Sequence, residues 1–132
     1  MSRLSIVAVL AVVTGGLVGA YAHAMAQPPN RTGVTWTPLA DVDLGAELGF
    51  EGHGLRSRLV TLPPGGIIPT HTHNDRPSVM YVVEGVATEQ RGDQIIERRQ
   101  GESFQIGRNT SHSIENKSGA RAAYVETDVY RK

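Results

Sequence analysis

The chain has 132 residues, 13 basic and 13 acidic side chains, five histidines and no cysteine. A zero formal charge without a basic stripe argues against nucleic-acid binding, and the missing cysteines exclude a disulfide framework. What is left is about one domain, held by its core and helped by a bound metal or by oligomerisation.

Arg3 and the uncharged apolar run of residues 4–20 read as the start of a signal peptide. Ala24-Met25-Ala26 fits the small-x-small cleavage pattern, which makes residues 1–26 the signal and Gln27 the first mature residue. The expected location is then periplasmic or secreted, with no stable membrane partner. The rival is an uncleaved anchor, since the run is near the lower limit for spanning a bilayer, roughly 17 residues. His23 falls in the discarded segment. Residues 27–35, rich in Pro and Gly, read as an N-terminal arm before a domain over 36–132. Trp36–Phe50 mixes apolar residues with Asp41, Asp43 and Glu47, and fits a short strand and a turn.

From Gly54 the pattern is all-β, with short extended runs separated by turn signals. Strands are expected at Leu55–Leu62, Ile67–His73, Ser78–Glu84, Val86–Gln90, Gln94–Arg99, Phe104–Ile106, Ser111–Glu115 and Ala122–Tyr130. Pro63-Pro64-Gly65-Gly66, Gly85 and Gly101-Glu102 break them, and Arg91-Gly92-Asp93 reads as a hairpin turn. No stretch carries a helical period.

Within Ile67–His73, His71 and His73 are one residue apart, so a period of two points both imidazoles the same way. Imidazole is the commonest protein metal ligand, and a third histidine, His112, lies in a later strand. Together these residues resemble a single-domain cupin of the quercetin-dioxygenase-like superfamily. The first cupin motif, G-x5-H-x-H-x4-E-x6-G, is matched by Gly65, His71, His73 and Gly85, with Ser78 at the glutamate position. The second, G-x5-P-x-G-x2-H-x3-N, is matched by Gly101, His112 and Asn116, with Gly107 for proline and Asn109 for glycine. The resemblance covers roughly residues 54–130 and implies a jelly-roll barrel of two antiparallel sheets with a divalent metal inside. Gly65 and Gly101 are then turn residues.

The resemblance implies His71, His73 and His112 as metal ligands, with open positions left for substrate or water. Fe2+ is the leading ion, with Zn2+, Mn2+, Ni2+ or Cu2+ as alternatives. Ser78 removes the family's one anionic ligand, so the site should favour an anionic or chelating substrate. Water, or a carboxylate such as Glu89, is a candidate for the vacated fourth position. Met80 and Val82 share the parity of Ser78 and should line the cavity with it, while Tyr81 faces away. Arg76, in the loop after the histidine pair, is placed to clamp a substrate carboxylate, against a plain surface pairing with Asp75. Gln105 is placed pointing inward, with Phe104 and Ile106 turned outward. Asn116 is expected to fix a turn, His53 to lie at the surface, and Glu126 and Asp128 to be solvated.

The functional expectation is an exported metal-dependent dioxygenase acting on a small organic molecule. Its rivals are a non-catalytic periplasmic metal- or ligand-binding cupin, and a Zn, Mn or Ni isomerase, lyase or decarboxylase. A homodimer is expected, as in cupins generally.

Overall fold

Two antiparallel sheets face each other in the computed structural model, which describes residues 33–132. The expected signal segment 1–26 and most of the expected arm 27–35 lie outside the described residues. The strands are β1 (Thr35–Asp43), β2 (His53–Leu62), β3 (Ile67–His73), β4 (Ser78–Glu84), β5 (Val86–Arg91), β6 (Gln94–Arg99), β7 (Ser103–Ile106), β8 (Thr110–Glu115) and β9 (Ala122–Arg131). Five form one sheet in the order β1-β2-β9-β4-β7, and four form the other in the order β3-β8-β5-β6. The chain passes repeatedly between the sheets, which is the jelly-roll arrangement expected from the sequence.

The ambiguous stretch after the arm is more regular than a short strand and a turn. β1 runs nine residues along β2, and a helix α1 (Leu44–Leu48) follows. Asp43 caps this helix, accepting from the N–H of Gly45 at 2.9 Å, and Gly49 ends it at φ +69°. Five residues are too few to show a helical period, which is why alternation alone misses them. Pro38 sits in β1 and Pro69 in β3, both edge strands where a missing N–H is tolerated. Each lies at a break in register, between Pro38 and Ala40 and between Ile68 and His71.

The apolar core lies between the sheets. Val60, Leu62, Val82, Ile106, Ile114 and Tyr124 are all buried in it. On β4 the alternation is strict: Ser78, Met80 and Val82 are buried, while Val79 and Tyr81 are exposed. β7 follows the same rule with Phe104 and Ile106 inside, and this corrects the orientation expected of Gln105, which is exposed. Two apolar side chains flanking one amide settle the facing of a four-residue strand, because burying the pair gains more than burying the amide.

Turn chemistry explains the motif positions that are not ligands. Gly85 has φ +70°, and a Cβ there would stand 2.5 Å from the Arg121 carbonyl oxygen. Asn109 holds φ +61° at the motif's glycine position, a conformation asparagine tolerates better than most residues. Asn116 is fully buried and closes the β8–β9 turn. Its amide donates to the carbonyls of Leu62 at 2.9 Å and Ala120 at 2.7 Å, and its oxygen accepts from the Ser118 N–H at 3.0 Å. Asn116→Ala leaves buried carbonyls without donors and should destabilise the fold by roughly 1–3 kcal/mol. Urea unfolding checks this, and metal content should be unchanged, since the residue touches none of the histidines.

Candidate metal centre

The register of β3 and β8 brings the histidines together. His71 stands directly opposite His112, and His73 lies two residues further along the same face. The register break at Pro69 and Thr70 matters here. Without it, Ile68 and His71 would point to opposite faces; with it, Ile68 enters the core while His71 and His73 face the interior. His73 and His112 are buried and His71 is half-buried.

Each ring is held from behind by an acceptor on Nδ1. His71 donates to the Pro69 carbonyl at 3.0 Å, His73 to the Arg76 carbonyl at 2.9 Å, and His112 to Oε1 of Glu89 at 3.0 Å. A carbonyl or an ionised carboxylate can only accept, so Nδ1 carries the proton in all three rings. The Nε2 atoms therefore present lone pairs, and these converge. His73 Nε2 is 3.1 Å from His71 Nε2 and 3.2 Å from His112 Nε2. Lone pairs that close repel unless a cation lies between them. Two nitrogens each about 2.1 Å from one ion, at nearly right angles, stand about 3 Å apart, so the donor set fits a divalent metal. Burial keeps His73 neutral, pushing its pKa down to about 4, and Arg76 and the other two rings act the same way against the bond to the Arg76 carbonyl.

Glu89 is not a fourth ligand. Its carboxylate lies behind His112, fully buried, with Oε1 accepting from Arg91 at 2.7 Å and Oε2 from Arg98 at 2.6 Å. Burial alone would raise its pKa, but the bonds from His112, Arg91 and Arg98 outweigh that and hold it at about 2. Arg91 is thus more than a turn residue. It ends β5 and faces the same way as Glu89, while only Gly92 and Asp93 make the turn. Ser78 also sits behind a ring, its hydroxyl 3.2 Å from His73 Nδ1, so it braces a ligand and does not extend the ligand set.

A cavity of about 950 Å³ opens beside His71. Of the residues expected to meet substrate, Arg76 and Met80 line it, whereas Val82 is packed in the core. Ser78 and Gln105 border a separate, smaller pocket of about 310 Å³. Trp36, Arg58, Tyr124 and Glu126 also line the main cavity, and none of them stands out from the sequence as a site residue. Burial holds the Tyr124 phenol protonated by raising its pKa, with Glu126 adding to the shift against Arg58 and Arg76.

Glu126 and Asp128 correct a second expectation: they are buried, not solvated. Cross-strand register sets Arg56 opposite Asp128 and Arg58 opposite Glu126, giving contacts of 2.9 and 2.7 Å. Arg76 joins the same carboxylates, 3.1 Å from Asp128, while Asp75 pairs instead with Arg108 and Arg131. His53 stacks on Phe50 at 3.8 Å, away from the histidine cluster.

Replacing Glu89 tests the role of the group behind His112. Glu89→Gln removes the carboxylate that fixes the ring's tautomer and balances two arginines. Metal affinity should fall by about 10–100-fold, measured by competition with a chromogenic chelator. Glu97→Gln, which breaks only an exposed pair with Arg99, should leave affinity unchanged.

Comparison with known proteins agrees with this architecture. The cupin domain model matches residues 58–130. A germin-like protein from Ipomoea nil is 34% identical over 61 residues, which is 46% of this chain but only 28% of that protein. Among solved structures, the polyketide cyclase RemF from Streptomyces resistomycificus aligns over 78% of this chain and 70% of its own, at 21% identity and a TM-score of 0.64. KdgF from Halomonas sp. aligns over 77% and 83% at 16% identity and 0.63. TT1209 from Thermus thermophilus aligns over 79% and 88% at 18% identity and 0.61. These likenesses establish the fold, and the matched family model establishes the kinship: the chain belongs to the cupin family.

Proposed function

We propose that this cupin is an exported metal-dependent enzyme of the dioxygenase type, holding Fe2+ on His71, His73 and His112 and acting on a small chelating organic molecule. The observation that carries the reading is the convergence of three Nε2 lone pairs, each fixed by an acceptor on the opposite nitrogen, at the edge of a large cavity. When bound, the metal supplies a Lewis-acidic and redox-active centre for substrate and O2.

The chain's own residues do the rest. The three rings are held in one orientation by their Nδ1 acceptors and turn Nε2 to the interior, so the ligand set brings no anion. Ile68, Met80 and Trp36 give the cavity apolar surface against which a carbon skeleton displaces water. Tyr124 keeps its proton and offers an O–H donor on the same wall. A homodimer has a face available, since Val79 and Tyr81 on the outside of β4 are 57% and 48% exposed. Light scattering on the mature chain reads that state.

Protein purified from its native compartment should contain about one iron per chain and take up O2 with one of a panel of diketones, thiols or catechol-like acids. Chelation should abolish uptake and Fe2+ restore it. His71→Ala and His112→Ala should both lose the metal, and full metal content in both would overturn the centre. Stoichiometric zinc without O2 uptake would point to Lewis-acid isomerase, lyase or decarboxylase chemistry. Bound metal without turnover of any kind would leave a binding protein.

A further inference from the structure

The ionic cluster at the cavity is short of negative charge. Arg58, Arg76 and Glu126 line the cavity, and Arg56 and Asp128 lie behind them, so three arginines meet two carboxylates. Asp128 is shared by Arg56 at 2.9 Å and Nη1 of Arg76 at 3.1 Å, and Glu126 takes Nη2 of Arg58 at 2.7 Å. One positive charge is left over, and so are donors. Among the described residues, Nε of Arg58 is buried with no acceptor. Among the described residues, Nη2 of Arg76 makes two long contacts, to Glu126 Oε1 at 3.8 Å and to His73 Nε2 at 3.5 Å.

The contact with His73 is the informative one, because Nε2 is the atom that would bind the metal. A bound metal would take that lone pair and set a second cation beside the guanidinium. Arg76 Nη2 is then left without a close acceptor on the protein. No carboxylate stands in the ligand set to offset this, since Ser78 occupies the glutamate position. An anion whose oxygens reach both the open side of the histidines and Arg76 balances the charge and satisfies the donor. A carboxylate has the planar pair of oxygens that a guanidinium binds best.

We infer that the substrate is an organic acid with a second oxygen donor next to its carboxylate, a 2-oxo or 2-hydroxy acid with an apolar body, whose carboxylate is held by Arg76. Arg58 supplies supporting charge, and Glu126 competes with the ligand for both arginines. The role of the second oxygen donor rests on the metal-enzyme reading above; the Arg76 anchor does not.

The test titrates benzoylformate and its neutral analogue benzoylformamide into metal-loaded and metal-stripped protein by calorimetry. The loaded protein should bind the acid at least about tenfold more tightly than the amide. The stripped protein should keep that preference at lower affinity. R76Q should lose it in both forms with metal content unchanged, whereas E126Q, by removing the competing charge, should raise affinity for the acid several-fold. Opposite effects from two residues of one network separate ligand binding from mere destabilisation. Equal affinity for acid and amide, a preference that survives in R76Q, or no acid binding at millimolar concentration would overturn the inference. A preference in stripped protein alongside absent iron would keep the Arg76 anchor while the oxygenase reading fails. Iron and O2 uptake without any preference for the acid would do the reverse.

Discussion

Three imidazole lone pairs aimed at one point repel one another, and Glu89, Ser78 and two backbone carbonyls hold them there. No ring is positioned by its strand alone. The β3 register break turns the Pro69 carbonyl onto His71, the loop after β3 returns the Arg76 carbonyl to His73, and β5 delivers Glu89 to His112. Each acceptor fixes one nitrogen as a donor and so commits the other to the interior. All three acceptors belong to the protein itself, which is how a metal centre is preorganised.

Charge compensation follows from the same constraint. In a buried site a lone carboxylate is costly, and Glu89 is tolerable because two arginines and a ring N–H surround it. Its charge therefore acts through His112 and does not reach the centre directly. With Ser78 bracing His73 from behind, the ligand set has no anion at all. A divalent ion would add its charge beside Arg58 and Arg76, with Glu126 as the one carboxylate among the cavity-lining residues, and this is the electrostatic ground for the anionic substrate proposed above. Ligand charge is thus part of the site's electrostatics, not an incidental property of whatever enters.

Much of this was legible in the sequence because it depends on short-range rules. β3, β4 and β6 have the bounds that their β-forming runs and turn residues indicate, and the facing of β4 follows from parity alone. The H-x-H pair and His112 could be joined through motif spacing. What escaped notice depends on register between distant strands. Glu126 and Asp128 share the parity of Ala122 and Tyr124 on β9, which marks them as inward-facing, yet their burial becomes reasonable only once Arg56 and Arg58 are known to lie opposite. Glu89 looked like a spare ligand because its distance from His112 was visible only as proximity of strands, not as which nitrogen it meets. The break at Pro69 had a faint signal, a proline inside a β-run, but nothing in the spacing told on which side of it the chain would gain a residue.

The inner face of β2 and β9 is divided along its length, and that division argues for what the ionic cluster does. From Val60 to Leu62 on β2 and from Ala122 to Tyr124 on β9, the inner face is apolar. From Arg56 to Arg58 and from Glu126 to Asp128, the same strands carry charge. Apolar residues of similar volume would hold two strands together at least as well, since buried ion pairs recover little more than their desolvation penalty. Stability alone therefore gives no reason for a cluster of five ionised groups, three of which line the cavity. Positioning does. The two carboxylates draw Arg76 across from its loop and hold it 3.5 Å from His73 Nε2, where a guanidinium would otherwise swing out to solvent. They are numerous enough to keep it there and too few to neutralise it.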